Sequence, residues 1–389
     1  MKNIFRLGNA ALFVLYALSF IFTFSSSLPS YVSSTFLAGF SSEQAVGIIY
    51  MAAAAATIAA FLAMPTLFRW LGNYRLTLSL AALTCVTLFG VAFAQNPFLV
   101  VTSFVISYAA STMMSLCLDV FIQHYSDNAD TGRIRSTNLT AVNLAWLVSP
   151  WLSALLVGTA AYWKTFFAAA VVMIPTIFLV IYNFRSFKDP VYTDVRLGDA
   201  ANEVEGDVNL RSIAAVSFLL NIFFASMIIY TPIYLHTYVG FSWADIGVMF
   251  TIMLIPFVLV QLPAGELADL VFGEKELLAL GFAVMAVSTV LIPFIHGRQL
   301  VLWAAILFVT RIGAAIVQAM ADTYFFKHVG EKNVGAITVY RLMPPVAYVL
   351  GPLLAIVFLL IFPMRNLFFL VAFLMLFGIG YSVSLRDTR

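Results

Sequence analysis

The sequence has few charged residues and an apolar composition. Only 10% of its 389 residues are charged and 62% are hydrophobic, whereas about a quarter of a soluble domain is charged. This composition excludes a water-facing globular protein and fits the polytopic membrane class. The formal net charge is only +2, which gives no reason to expect a nucleic acid as a partner.

Motifs for catalysis and for metal binding are also missing. The two cysteines, Cys85 and Cys117, lie inside apolar runs, so they indicate neither a disulfide framework nor a zinc site. The chain contains no His-Glu-x-x-His spacing, no phosphate-binding loop and no nucleophile elbow. We therefore expect no enzymatic activity, no metal and no cofactor.

What the sequence does contain is long hydrophobic runs. A helix needs roughly 20 apolar residues to cross the hydrocarbon core of a bilayer. The first run, from Ala10, is too long for a signal peptide and lacks an Ala-x-Ala-like cleavage site, so we expect a true span. The predicted spans, one to twelve, are residues 9–32, 43–67, 74–95, 97–124, 135–158, 163–184, 211–238, 244–268, 275–296, 298–325, 335–361 and 365–385.

Six spans lie on each side of the polar segment "RSFKDPVYTDVRLGDAANEVEGDVNLR". We predict an N-terminal bundle over residues 1–187, a solvated cytoplasmic linker over 188–210 and a C-terminal bundle over 211–389. With a cytoplasmic N-terminus, sixteen of the 20 lysines and arginines fall on the cytoplasmic side, as the positive-inside rule requires. Both termini and the linker are thus expected in the cytoplasm.

The two halves of the chain resemble each other. Asp119 and Asp322 are 203 residues apart, and so are Gly132 and Gly335. Pro29 of span one also has a counterpart near the same offset in span seven. Two six-helix halves related as parallel repeats are typical of transporters whose substrate site lies between the halves.

The turn after span eight, "GELADLVFGEK", carries the family resemblance. It matches the pattern Gly-x-Leu-Ala-Asp followed by Gly and basic residues, which is the loop signature of the major facilitator superfamily; the matching residues are Gly265, Leu267, Ala268, Asp269, Gly273 and Lys275. The whole chain resembles this family. The resemblance implies an all-α integral membrane protein with twelve transmembrane helices in two pseudo-symmetric six-helix bundles.

Two other family patterns are altered. The turn after span two, "PTLFRWLGNYR", has Pro65 in place of the first Gly and Arg69 in place of the Asp. The Gly-Pro pattern that the family's antiporters carry in span five keeps its proline, Pro150. Its glycine positions hold other small residues: Ala145, Ser149, Ser153 and Ala154.

In the resembled family the turn after span eight packs against the opposite half and helps to close the cytoplasmic side. We hypothesise that Asp269, supported by Glu266, pairs with Arg133 and Arg135 when the protein faces outward, and that Gly265 permits close helix approach. One exposed ion pair contributes about 1 kcal/mol, enough to bias states that differ by a few kcal/mol. The alternative is a solvated acidic loop without a gating role.

Arg311 lies near the middle of span ten, roughly 20 Å from either end at ~1.5 Å per residue. An ionisable group at that depth is costly and usually functional. It could bind a carboxylate or phosphate on a substrate, or it could be structural, bonded to carbonyls and hydroxyls inside the bundle.

Asp119 and Asp322 lie near the cytoplasmic ends of spans four and ten. They could carry a coupling proton, or they could pair with bases and belong to the gate. The bases that we consider for this pairing are Arg75, Lys327 and Arg341.

Several polar residues could hydrogen-bond a small solute, although small hydroxyl residues also let membrane helices pack closely. With Arg311, the candidate substrate-binding residues are Ser26, Tyr108, Thr112, Asn221, Tyr230, Tyr234 and Gln318.

The resemblance implies a secondary active transporter that works by alternating access. We expect ion-coupled export of an amphipathic or hydrophobic compound, with uptake or exchange of a small organic anion anchored by Arg311 as the alternative. A membrane receptor or scaffold without transport is the alternative of another class. The expected partners are a small-molecule substrate, a coupling proton and the bilayer of the cell (inner or plasma) membrane, with no nucleic acid, and the protein is expected to be a monomer.

Overall fold

The computed structural model describes residues 2–125, 131–190, 192, 197–270, 272–329 and 334–386. Within its helices, the side chains of residues 2–11, 43, 131–133, 135, 136, 197, 262, 266, 269, 270 and 334 fall outside the description. Over the described residues the chain is helical and has no β-strand, so the predicted all-α class is confirmed.

The described residues of the first half form six α-helices: α1 (Lys2–Ser27), α2 (Ser33–Ala38), α3 (Glu43–Phe93), α4 (Pro97–Tyr125), α5 (Thr131–Val157) and α6 (Trp163–Phe184). Those of the second half form nine: α7 (Leu197–Gly206), α8 (Val208–Ile233), α9 (Trp243–Leu254), α10 (Pro256–Leu259), α11 (Gln261–Leu270), α12 (Glu274–Leu291), α13 (Leu300–Val329), α14 (Val334–Leu359) and α15 (Leu367–Ser384). Spans nine to twelve correspond to α12–α15, and span seven corresponds to α8 with the π-helix Tyr234–Val239 that continues it.

Within the described residues, nine helices are long and apolar enough to cross a membrane. One of them, α3, contains spans two and three and is interrupted at Gly72. Two shorter apolar stretches, Leu12–Ser27 within α1 and Trp243–Leu259 across α9 and α10, fall on spans one and eight. The chain is therefore a multi-pass membrane protein, and the helices agree with the twelve predicted spans.

The break in α3 depends on one glycine. Gly72 has φ +73° and ψ 162°, a combination that is essentially restricted to glycine. The chain turns there between spans two and three, and Asn73 begins the next helical segment. The backbone conformation of this turn thus requires the glycine in "PTLFRWLGNYR".

Span eight is divided into α9, α10 and α11. Ser242 and Asp245 form a capping box at the start of α9, which satisfies two of the free N–H groups of that helix end. Pro256 then interrupts the helix, because proline has no N–H and its ring clashes with the carbonyl four residues earlier. At this point the backbone hydrogen bonds reach three residues back instead of four, as in the bond from the Ile255 N–H to the Ile252 carbonyl at 3.2 Å.

The polar segment between the halves contains a helix that the sequence interpretation treated as solvated linker. Helix α7 buries Ala200 and Val204, leaves Asp199 exposed and packs against α8 and α14. Asp207 follows it and caps α8, since its carboxylate accepts from the N–H groups of Asn209 (2.7 Å) and Leu210 (3.3 Å).

Cα proximity divides the chain into two units. The first comprises residues Met1–Phe40 and Ala52–Thr193, and the second comprises Ser41–Met51 and Asp194–Arg389. Each unit has its own buried core. The domain limits proposed from the sequence, at 187 and 211, stay a prediction.

Candidate functional site

Arg311 is the centre of the candidate site in the second unit. Its side chain is only 1% exposed and lies near the middle of the 30-residue helix α13. The guanidinium carbon lies 5.0 Å from the ring centroid of Phe223 and 5.9 Å from that of Phe224. A cation over a phenyl ring away from water gains about 2 kcal/mol, so the two rings stabilise the charge at this depth.

The neighbouring partly exposed side chains are aromatic or carry amides. Phe224 contacts Phe257 of α10, with 6.0 Å between ring centroids. The side-chain amide nitrogen of Gln261 lies 3.5 Å from Oε1 of Gln318, which places α11 beside α13. Asn221 donates to the Ser217 carbonyl at 2.8 Å.

We call these five side chains the aromatic–amide surface: Asn221, Phe224, Phe257, Gln261 and Gln318. Gln318 lies two helical turns from Arg311, on the same face of α13. Asn221 and Phe224 share a face of α8 in the same way. The surface therefore combines ring faces with hydrogen-bonding amides next to a covered cation.

The two predicted tyrosines of span seven do not join this surface. Tyr230 is 1% exposed and Tyr234 is 5% exposed. The ring of Tyr234 lies 5.2 Å from that of Phe368 and 6.0 Å from that of Trp303. Their positions fit the alternative role in helix packing that the sequence left open.

In the first unit, the predicted polar residues are half-buried. Ser26 donates to the Phe22 carbonyl at 3.1 Å, and Thr112 donates to the Tyr108 carbonyl at 3.0 Å. Both hydroxyls thus donate to a carbonyl of their own helix, and their oxygen lone pairs can still accept a hydrogen bond. The Tyr108 ring lies 6.1 Å from that of Phe104. These three residues stay predictions as substrate contacts.

The small residues of span five are packing residues. Ala145, Ser149, Ser153 and Ala154 are buried, and α5 packs against α1. The hydroxyls of Ser149 and Ser27 are hydrogen-bonded to each other. Small side chains of this kind let membrane helices approach closely.

The predicted latch cannot be followed at atomic detail, because the side chains of Glu266, Asp269, Arg133 and Arg135 lie outside the described part of the chain. Gly265 is described, and a Cβ at this position would meet no described atom within 4 Å. The close approach expected at Gly265 is therefore not seen here, and the latch stays a prediction.

The other predicted gating residues lie in more accessible places. Asp119, Arg75 and Arg341 are exposed. The exposed carboxylate of Asp322 accepts a hydrogen bond from the Tyr340 hydroxyl at 2.9 Å. Lys327, considered as a partner for the aspartates, instead pairs with Glu274 at 2.6 Å.

Sequence reasoning missed three polar contacts at the helix ends near the linker. Besides Glu274–Lys327, His328 lies 3.3 Å from Asp207, and Asp189 accepts from the backbone N–H of Asn73 at 2.6 Å. Asp207 precedes an apolar helix, which is a recognisable capping signal. The Asp189 contact joins residues 116 apart, and no local pattern indicates it.

Comparison with known proteins agrees with this architecture. The model of the Major Facilitator Superfamily matches residues 212–388, just under half of the chain. A search of curated proteins found no match. Among solved structures, the nucleoside transporter NupG is similar, with a TM-score of 0.74 and 14% identity over 96% of this chain and 97% of that chain. The predicted resemblance is thus confirmed: the chain has the fold of a major facilitator transporter, and its second half carries the family's sequence pattern.

Proposed function

We propose that the chain is a secondary transporter that exports an amphipathic or hydrophobic compound by alternating access. The family match and the fold support a transporter that moves a small molecule across a membrane. The sequence has no nucleotide-binding motif, so an ion gradient or substrate exchange supplies the driving force. In this proposal the protein works as a monomer in the cell membrane, with both termini cytoplasmic.

The observation that carries the substrate class is the contrast in exposure around Arg311. The cation is 1% exposed and lies over two phenyl rings, whereas the aromatic–amide surface is partly exposed. A solute that reaches this surface meets rings and amides before it meets charge. Ligand sites that are mostly apolar with a few placed polar groups suit amphipathic compounds.

A proton is the proposed coupling ion. Asp322 supports this choice because its carboxylate accepts a hydrogen bond from the neutral phenol of Tyr340 and is exposed, so it can exchange a proton. Asp119 occupies the corresponding position of the first half. Their role as gate residues that pair with bases is the alternative.

Transport of a small organic anion is the second candidate, and the depth of Arg311 favours it. A charge at mid-span is expensive unless it has a structural or functional use. An anion that binds Arg311 has to displace a covering ring, and Phe224, which is partly exposed, is the ring that solute can reach.

Thermal stabilisation of purified protein by a mixed ligand panel, together with flux in liposomes, tests both candidates. The panel contains amphipathic compounds, organic anions and nucleosides, the last because the similar solved transporter is named for them. A ligand at a hundredfold over its Kd stabilises the folded state by about 2.7 kcal/mol. We expect amphipathic compounds to stabilise wild type and Arg311→Ala, and to lose the effect in Phe224→Ala.

Two variants serve as matched controls, Arg185→Ala at an exposed arginine and Phe178→Ala at an exposed ring; both should behave as wild type. Stabilisation by organic anions that disappears in Arg311→Ala would replace the export proposal with the anion candidate. Binding without flux for every class would favour a receptor or scaffold.

A further inference from the structure

The segment after α6 folds back onto the turn between spans two and three. We call residues 187–190 and 192 the strap. The carboxylate of Asp189 accepts the backbone N–H of Asn73 at 2.6 Å and the hydroxyl of Tyr192 at 2.7 Å. Asn73 is the first residue after the break at Gly72, so the strap places a negative charge at a helix start, where the helix dipole favours it.

Aromatic contacts hold the strap on both sides of Asp189. The ring of Tyr192 stacks on Phe68, with 4.7 Å between centroids and 7° between planes. Phe187 lies 4.7 Å, edge to face, from Phe121. Burial raises the pKa of the Tyr192 phenol, and its hydrogen bond to the Asp189 carboxylate adds to the shift. The phenol therefore stays protonated and donates.

Gly72 makes room for the strap. A Cβ on this residue would collide with the Asp189 carboxylate. The turn after span two has an arginine where the family signature has its acid. Asp189 thus supplies a carboxylate to this turn from a distant part of the chain.

The linker has a second attachment five residues after Tyr192, inside the second unit. Helix α7 begins at Leu197 and buries Ala200 and Val204. It lies so near the start of α14 that a Cβ on Gly335 would be 3.3 Å from that of Ala200 and 3.4 Å from Oε2 of Glu203. This end of the linker is therefore part of the second unit.

The chain between the two attachments is short. Tyr192 and Leu197 are five residues apart, and an extended chain spans at most about 3.6 Å per residue, or roughly 18 Å. We propose that the linker is a tether with two anchors, the strap and α7, and that its length limits how far the linker ends of spans two and eleven separate during transport. Asp189 is the positioning residue of the first anchor.

This inference rests on the proposed alternating access, since a tether matters only if the two units move. It predicts that lengthening the tether and releasing an anchor have the same effect on the motion. A merely structural role for Asp189 predicts that release lowers stability and that lengthening does nothing.

Spin labels at Leu71→Cys and Asp199→Cys measure the distance between the two attachments. Both positions are exposed, and the background replaces the buried Cys85 and Cys117 by alanine. An insertion of about eight Gly/Ser residues, which behave as flexible coil, goes between residues 194 and 195 and leaves both anchors intact. We expect the insertion to add a longer-distance population that the parent lacks.

Asp189→Ala should add the same population, whereas Asp189→Asn keeps an acceptor oxygen and should resemble the parent. An insertion of equal length after Ala160, between α5 and α6, is the control and should change nothing. An unchanged distance distribution in the tether insertion overturns the proposal, even if Asp189→Ala fails to fold. Because the distances are measured without substrate, absent flux in the parent would defeat the transport proposal separately.

Discussion

Spans three and nine are equivalent helices of the repeat, and their starts are stabilised by different chemistry in the two units. In the first unit, the helix that starts at span three is capped by Asp189, an exposed carboxylate that bonds to a backbone N–H and a phenol. In the second unit, the helix that starts at span nine carries its own acid. Glu274 lies in the first turn of α12, is 3% exposed and pairs with Lys327 at 2.6 Å.

The histidines near the ends of spans four and ten differ in the same way. His124 lies edge to face with Phe187, 4.7 Å between ring centroids. His328 stacks on Tyr324 and lies 3.3 Å from the carboxylate of Asp207. The contacts at this position of the repeat therefore differ between the units. The first unit uses aromatic rings and the Asp189 carboxylate from the linker, whereas the second uses the Glu274–Lys327 salt bridge and the His328–Asp207 contact.

The largest effect is expected from Lys327→Met. This change leaves Glu274, 3% exposed, without the ammonium that compensates its charge, whereas Lys327 is 46% exposed. Removing one partner of a buried pair in this way costs about 3 kcal/mol or more. Thermal unfolding of the purified variant measures the loss.

The reverse change should be milder. Glu274→Gln leaves a lysine that can reach water and keeps a neutral hydrogen-bonding group, so we expect a loss of about 1 kcal/mol. The double variant should be more stable than Lys327→Met alone. Equal losses for the two single variants would mean that Glu274 is no more buried than Lys327. The second unit would then lack the buried acid that distinguishes it from the first unit.

A smaller effect, confined to the first unit, is expected from Gly72→Ala. The residue has to keep φ near +73° and its methyl group meets Asp189, which together cost about 1–3 kcal/mol. Gly265→Ala is the matched control, since a Cβ there meets no described atom within 4 Å. Differential scanning calorimetry of both variants measures the difference. If Gly72→Ala is as stable as this control, the strap does not need the space that the missing side chain of Gly72 leaves.

The smallest effect is expected at Asp207, which is partly exposed. Hydrogen bonds from Asn209, His328 and Leu210 outweigh partial burial, which alone would raise the pKa of Asp207, and hold that pKa below its ordinary value of 3.8. Its contribution is therefore complete above pH 3.8 and is lost as the pH falls through the lower folded value. Asp207→Ala should cost about 1 kcal/mol near neutral pH, and Asp207→Asn less, because asparagine also caps helices.

Unfolding temperatures at about pH 6 and about pH 3 check this. Wild type should lose part of its advantage over Asp207→Ala at the lower pH. An advantage that grows on acidification would contradict the sign of the pKa shift.

Much of the fold follows from the sequence, because apolar runs of membrane length are local signals. The twelve runs, the polar segment between the halves and the depth of Arg311 could all be read in this way. The helix breaks could be read only in part. The turn at Gly72 falls between predicted spans two and three, whereas span eight is predicted as one run over 244–268 and the interruption at Pro256 is not anticipated.

The side-chain partners could not be read in the same way. Helix α8 is apolar nearly all round, so the sequence does not reveal which of Asn221, Tyr230 and Tyr234 faces an accessible surface. The rings over Arg311 come from another helix, and their identity depends on how the helices are rotated. The partner of Asn73 is 116 residues away, a separation that periodicity and spacing do not bridge.

The strap has a consequence for the order in which the protein is made. Apart from the bond between Asp189 and Tyr192 themselves, the strap contacts Asn73 and Phe68, which both lie earlier in the chain. Helix α7 instead packs on α14, which is synthesised more than a hundred residues later. Since domains generally fold as units during synthesis, N-terminal first, we expect the ribosome to release a first unit with its strap already closed. The second anchor closes only when span eleven has entered the membrane.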